Sequence, residues 1–99
     1  MVTLTFKFNE EKVREAGYTT DELLAPMREH SKQYDIDEVE YGVFVKDGIY
    51  ALGAMERYIV RLLPDFLDCL DELILNVNGN EEDCIESVKR GIEKYNMYV

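Results

Sequence analysis

Glu72-Leu-Ile-Leu-Asn-Val-Asn-Gly-Asn80-Glu-Glu-Asp-Cys-Ile-Glu-Ser-Val88 is the stretch on which the fold turns. Leu73, Leu75 and Val77 alternate with Ile74 and Asn76, the two-residue period of a strand, so residues 72–77 read as β. The apolar Ile74 on the other face predicts burial from both sides and a central place in a sheet. Asn78-Gly79 supplies a turn. Asn80 with Glu81, Glu82 and Asp83 has the makeup of a helix start, a capping amide followed by acids at the positive end of the dipole. Cys84, Ile85, Val88, Ile92 and Tyr95 share one helical stripe, which predicts a helix over 81–95.

Outward from there, Leu62 to Val88 contains no Lys or Arg and eight acids: Asp65, Asp68, Asp71, Glu72, Glu81, Glu82, Asp83 and Glu86. These are the candidate partner-binding residues. Upstream, Leu52, Met55, Ile59 and Leu62 recur at helical spacing and predict a helix over 49–63, with Asp47 able to cap it and Pro64 ending it. Asp47-Gly48 is also a hairpin signal that would pair residues 43–45 with 49–51, but the longer helical period outweighs one dipeptide. Residues 65–70 have room for one helical turn, Tyr41 to Val45 reads as a strand, and Asp35 to Glu40 as an acidic connector.

Thr19-Thr-Asp-Glu22 has capping-box spacing, and Leu23, Leu24, Met27, Ser31 and Tyr34 form one face of a helix over 20–34. Pro26 falls inside it and predicts a kink or a start near Leu24. Asn9 and Gly17 bracket a short helix over 10–16. At the beginning Val2, Leu4, Phe6 and Phe8 alternate with Thr3, Thr5 and Lys7, a half-buried strand over 2–8. The expected fold is α/β or α+β: one domain over 1–99, two layers, about three strands (2–8, 41–45, 72–77) joined by parallel crossovers, and helices mainly on one face.

Composition narrows the function classes. Ninety-nine residues with a net charge of −10 and 46% hydrophobics make a folded acidic domain that favours basic partners or cations. Direct nucleic-acid binding is disfavoured, because phosphate contacts need clustered Lys and Arg. No apolar run approaches the roughly 20 residues of a membrane span. The chain opens on the alternating run at Val2 rather than on a signal-like segment, and Cys69 and Cys84 read as free thiols. The expected setting is therefore the cytoplasm.

Chemistry-bearing motifs are sparse. His30 is the only histidine, has no nucleophile and orienting acid in a recognisable pattern, and reads as a surface or boundary residue. Cys84 sits on an apolar stripe as an inert thiol, and the two cysteines lack zinc-site spacing. Asp35-x-Asp37 and Asn76-x-Asn78-x-Asn80 begin like calcium loops but fail in glycine position and twelfth ligand. No phosphate loop is present, and no cofactor or metal is expected. Tyr34, Tyr58 and Tyr95 lie near apolar stripes, whereas Tyr41, Tyr50 and Tyr98 leave room for a weak homodimer beside the monomer.

Glu22-Leu-Leu-Ala-Pro-Met-Arg-Glu29, Gly42-Val-Phe-Val-Lys-Asp-Gly48 and Glu81-Glu-Asp-Cys-Ile-Glu86 together resemble small acidic proteins of unknown function carried on bacterial conjugative transposons. The resemblance implies a bacterial cytoplasm and a mobile element, with no residue roles attached. The expected function is a non-enzymatic interaction module for a basic protein. The alternatives are a DNA-mimic inhibitor of a nucleic-acid-binding protein and a small carboxylate-based or cation-dependent enzyme.

Overall fold

The computed structural model describes residues 1–62 and 64–96, and the side chains of all of these except 64, 65 and 91–96. It is an α+β fold of five strands and five helices among those residues. The order is β1 (Val2–Phe8), α1 (Glu10–Glu15), α2 (Thr20–Tyr34), β2 (Asp37–Glu40), β3 (Val43–Lys46), α3 (Ala51–Ile59), α4 (Pro64–Asp68), β4 (Leu70–Val77), β5 (Asn80–Asp83) and α5 (Ile85–Asn96). The sheet runs β2-β3-β1-β4-β5, and every neighbouring pair is antiparallel.

Parallel crossovers are thus replaced by two hairpins with β1 between them. The two extra strands, β2 and β5, are the acidic segments Asp37-Glu-Val-Glu40 and Asn80-Glu-Glu-Asp83. Neither has strand propensity; pairing with β3 and β4 imposes it. Asn78 (φ 53°) and Gly79 (φ 96°) both take positive φ, the type I′ geometry that returns a chain on itself. Asn80 therefore pairs with Val77 instead of capping a helix, and α5 begins later, with the Asp83 carboxylate accepting the Ile85 amide at 3.1 Å. The stripe residues Ile92 and Tyr95, and the Met97–Val99 tail, lie outside the described side chains.

Where local signals agreed with the tertiary fold, the elements stand as expected. Asn9 accepts from the Lys12 amide, Gly17 follows α1 at φ 82°, and Thr19 with Glu22 closes a complete capping box. α2 starts at Thr20 behind that box and not near Leu24, stays helical through Pro26 to Tyr34, and ends on left-handed Asp35. α3 is shorter than the periodicity predicts, and Tyr50 rather than Asp47 occupies its N-cap, without a side-chain bond. The Asp47-Gly48 hairpin does not form, since the partners of β3 are β1 and β2.

The core lies on one side of the sheet. Leu4, Phe6, Phe44 and Leu73 meet Leu24 and Met27 of α2, Met55, Tyr58 and Ile59 of α3, Leu67 of α4 and Ile85 of α5. A smaller cluster of Val13, Leu23 and Cys69 seals the end of β1 under α1. β1 is the central strand. β4 lies one place from the edge, and its Ile74, predicted to be buried, is half-buried and outside both clusters.

Candidate interaction face

Strand alternation decides what the other side of the sheet carries. In β1 the core takes Val2, Leu4 and Phe6, which leaves Thr3, Thr5 and Lys7 facing away. Registers carry that parity across all five strands. Asp37, Val45, Thr3, Asn76 and Glu81 form one continuous cross-strand row. Glu40, Val43, Thr5, Ile74 and Asp83 form a second. Lys7 and Glu72 begin a third and are ion-paired at 3.3 Å. Val43, Val45 and Ile74 are only half-buried and pack in neither core cluster, so among the described residues no helix covers them.

Each complete row therefore has an acid at both ends and apolar, hydroxyl or amide groups between. Four strand spacings of about 4.8 Å set the two acidic margins about 19 Å apart. Asp37, Glu40 and Glu81 are exposed. Asp83 holds the matching position, but its carboxylate is engaged by the amides of Leu73 (3.3 Å) and Ile85 (3.1 Å).

The eight acids singled out in sequence separate accordingly. Glu72, Glu81 and Asp83 fall on this face by register. Glu82 is paired with Leu75, on the core side of the edge. Asp71 is the extra residue of a bulge, where Lys7 faces Glu72 but Phe8 faces Leu70, and it accepts a 3.1 Å bond from Asn9. Asp68 pairs with Lys89 at 3.3 Å, Glu86 lies in the first turn of α5, and the side chain of Asp65 is outside the described set. Asp37 and Glu40, read as connector, complete the face. Only the register, which the linear sequence does not display, joins them to Glu81.

One acid of the β2 hairpin has a different role. Glu38, on the core side opposite Phe44, receives Arg28 Nε at 2.8 Å, Arg28 Nη2 at 3.2 Å and the Gly42 amide at 3.1 Å. Arg28 Nη1 also reaches Asp21 at 3.2 Å, and the Tyr41 hydroxyl donates to the same Asp21 oxygen at 2.8 Å. The Arg28 bonds hold the Glu38 carboxyl below its usual range, and the Tyr41 bond does most to lower that of Asp21. This network fastens β2 to α2, and its charges are already answered.

A concave region lies at the helical layer, a groove of about 750 Å³ lined by Pro26, His30, Tyr58, Arg61 and Phe66 among others. His30 is buried rather than at a boundary, because it shares the inward side of α2 with Met27. Its Nε2 lies 2.8 Å from the Ala54 carbonyl, which makes that nitrogen the donor, and its ring rests on Tyr34 at 4.4 Å. Nδ1 has no hydrogen-bond partner among the described residues. Tyr58 is pushed up to about 12 by burial, which keeps its hydroxyl protonated. Both cysteines are buried, with the Cys69 thiol 4.0 Å from the Lys12 carbonyl oxygen, and burial raises the Cys84 thiol. Among the described residues no group of three or more His, Cys, Asp or Glu could hold a metal ion, and no helix is long and apolar enough to cross a membrane.

Comparison of the chain with family models, with curated proteins and with solved structures gave no match.

Proposed function

We propose that the chain is a non-enzymatic interaction module whose open sheet face receives a basic protein partner, carried by a bacterial mobile element as its resemblance implies. The observation that supports this most is the pair of five-strand rows with acids at both ends. A patch with apolar and uncharged polar residues inside a charged rim matches the anatomy of protein interfaces. The same patch has little use for DNA mimicry, which needs a row of charges and no Val43, Val45 or Ile74 between them.

The test separates the face from bulk charge. A labelled lysine-rich peptide is titrated at near-physiological salt against the protein, against D37N/E40Q/E81Q, and against D68N/E82Q/E86Q, which removes the same charge elsewhere. Affinity is expected to fall in the first variant and to change little in the second. Equal losses would reduce the effect to net charge and sink the reading. Duplex DNA that displaces a partner from this face would instead establish mimicry.

A further inference from the structure

We infer that the occupant of the open face is an amphipathic helix with an apolar stripe flanked on both sides by Lys or Arg. This rests on the reading of the face as an acidic docking surface and adds the shape of what docks. Width carries the first step. A helix with its side chains is about 10–12 Å across, and the acidic margins stand about 19 Å apart. A helix laid along β1 over Thr3 and Thr5 leaves about 4 Å on each side, the distance at which ammonium and carboxylate pair.

Chemistry carries the second step. The floor beneath such a helix is Val43, Val45 and Ile74 with Thr3, Thr5 and Asn76, an uncharged and half-apolar surface that accepts an apolar stripe. Its flanks are Asp37 and Glu40 on one side and Glu81 on the other, exposed and without an ion pair among the described residues. The opposite face of this sheet is already covered by helices, so a helix here would complete a third layer by the same packing.

Other occupants fit less well. A second copy laid face to face would bring acidic margins against acidic margins. An extended segment would add to the outer edge of β5 and leave Val43 and Val45 uncovered. A single helix covers less area than a standard interface, so it should exchange rapidly.

The experiment uses isotope-labelled protein and three synthetic probes of equal charge: a Leu/Lys peptide with leucines at helical spacing, the same composition alternating Leu-Lys, and a lysine homopolymer. The helical probe is expected to bind tightest, with amide shifts centred on Thr3, Thr5, Val43, Val45 and Ile74. V43T/V45T/I74T, which keeps β-branched residues, should weaken it roughly tenfold while leaving the homopolymer unaffected. D37N/E40Q/E81Q should weaken the helical probe as well, and this arm stands if the threonine variant does not fold. Tighter binding of the alternating peptide, with shifts confined to Glu81–Asp83, would overturn the helix while leaving a basic partner in place. Equal binding of homopolymer and helical probe would do the same. A protein that dimerises through this face, losing the dimer in V43T/V45T/I74T, would overturn the helix in favour of a second copy. Failure of all three probes would overturn the docking surface itself.

Discussion

The two edges of the sheet are both acidic tetrapeptides, yet they are built in opposite ways. At the β2 edge Glu38 is clamped by Arg28, brought over from α2, and Val39 is the extra residue of a bulge between Glu38 and Glu40. At the β5 edge four residues pair in unbroken register, and the nearest help for Glu81 is a 3.3 Å bond from the neutral Asn76 amide. The two cations on α5 whose side chains are described are used elsewhere: Lys89 holds Asp68, and Arg90 bonds its own helix at the Glu86 carbonyl. Acid content alone does not set a strand's role. A carboxylate supplied with a cation by another element is structural, and one left without is available.

The turns behind these edges differ in the same way, which gives the largest predicted effect. Gly42 has φ 75°, and a Cβ there would stand 3.2 Å from the Phe6 carbonyl oxygen, on the strand whose amide bonds Gly42 at 2.9 Å. Gly79 has φ 96° with nothing within 4 Å of a Cβ. Both alanine variants carry the cost of positive φ, roughly 1–2 kcal/mol, but only Gly42→Ala must also push backbone apart. Gly42→Ala is expected to lose about 2–3 kcal/mol and Gly79→Ala about 1–2 kcal/mol, read from urea midpoints at constant slope. Equal losses would show that the close approach to Phe6 relaxes freely.

What the sequence made legible follows the same division between local and tertiary causes. The helix over 20–34, the Asn9 cap and the alternation of β1 depend on neighbours a few residues away, and each is visible there. β2 and β5 depend on partners, so Asp37–Glu40 reads as a connector and Asn80–Asp83 as the opening of a helix. Asn78-Gly79 was the hairpin signal, and the acids after it argued for a helix end instead. The candidate face was half legible: Thr3, Thr5 and Lys7 declare themselves, and Glu72, Glu81 and Asp83 lie in the base-free stretch. Its other half needs the register that sets residues 37, 45, 3, 76 and 81 side by side. Ile74 misled because an apolar residue on a strand's second face indicates a covering layer, which this chain does not itself supply among its described residues.

Arg28→Ala tests the clamp at the β2 edge. Two charge-assisted bonds to Glu38 and one to Asp21 are lost, along with the guanidinium 5.5 Å over the Tyr41 ring. The site is partly exposed, so the expected loss at neutral pH is about 1–2 kcal/mol. Its pH dependence has a definite sign. Both carboxyls are lowered from their ordinary 4.5 and 3.8, so their stabilisation is complete above those values and disappears as pH falls through the lower folded ones. The gap between the protein and Arg28→Ala should therefore narrow below about pH 4 in urea titrations. A gap that persists in acid would assign the loss to packing of the arginine stem.

The smallest effect on stability is expected at the β5 edge, and it is informative for that reason. Glu81→Gln with Glu82→Gln removes two adjacent carboxylates that no described cation contacts, so the change should stay within about 0.5 kcal/mol and lean toward stabilisation by relief of repulsion. Association is where the two edges should part. An unbulged edge strand stripped of charge is a template for another chain, whereas the β2 edge keeps its bulge when Asp37 and Glu40 are neutralised. Light scattering against concentration should rise for E81Q/E82Q and stay flat for D37N/E40Q. If both pairs associate equally, the bulge at Val39 does not protect its edge and charge alone guards both sides of the sheet.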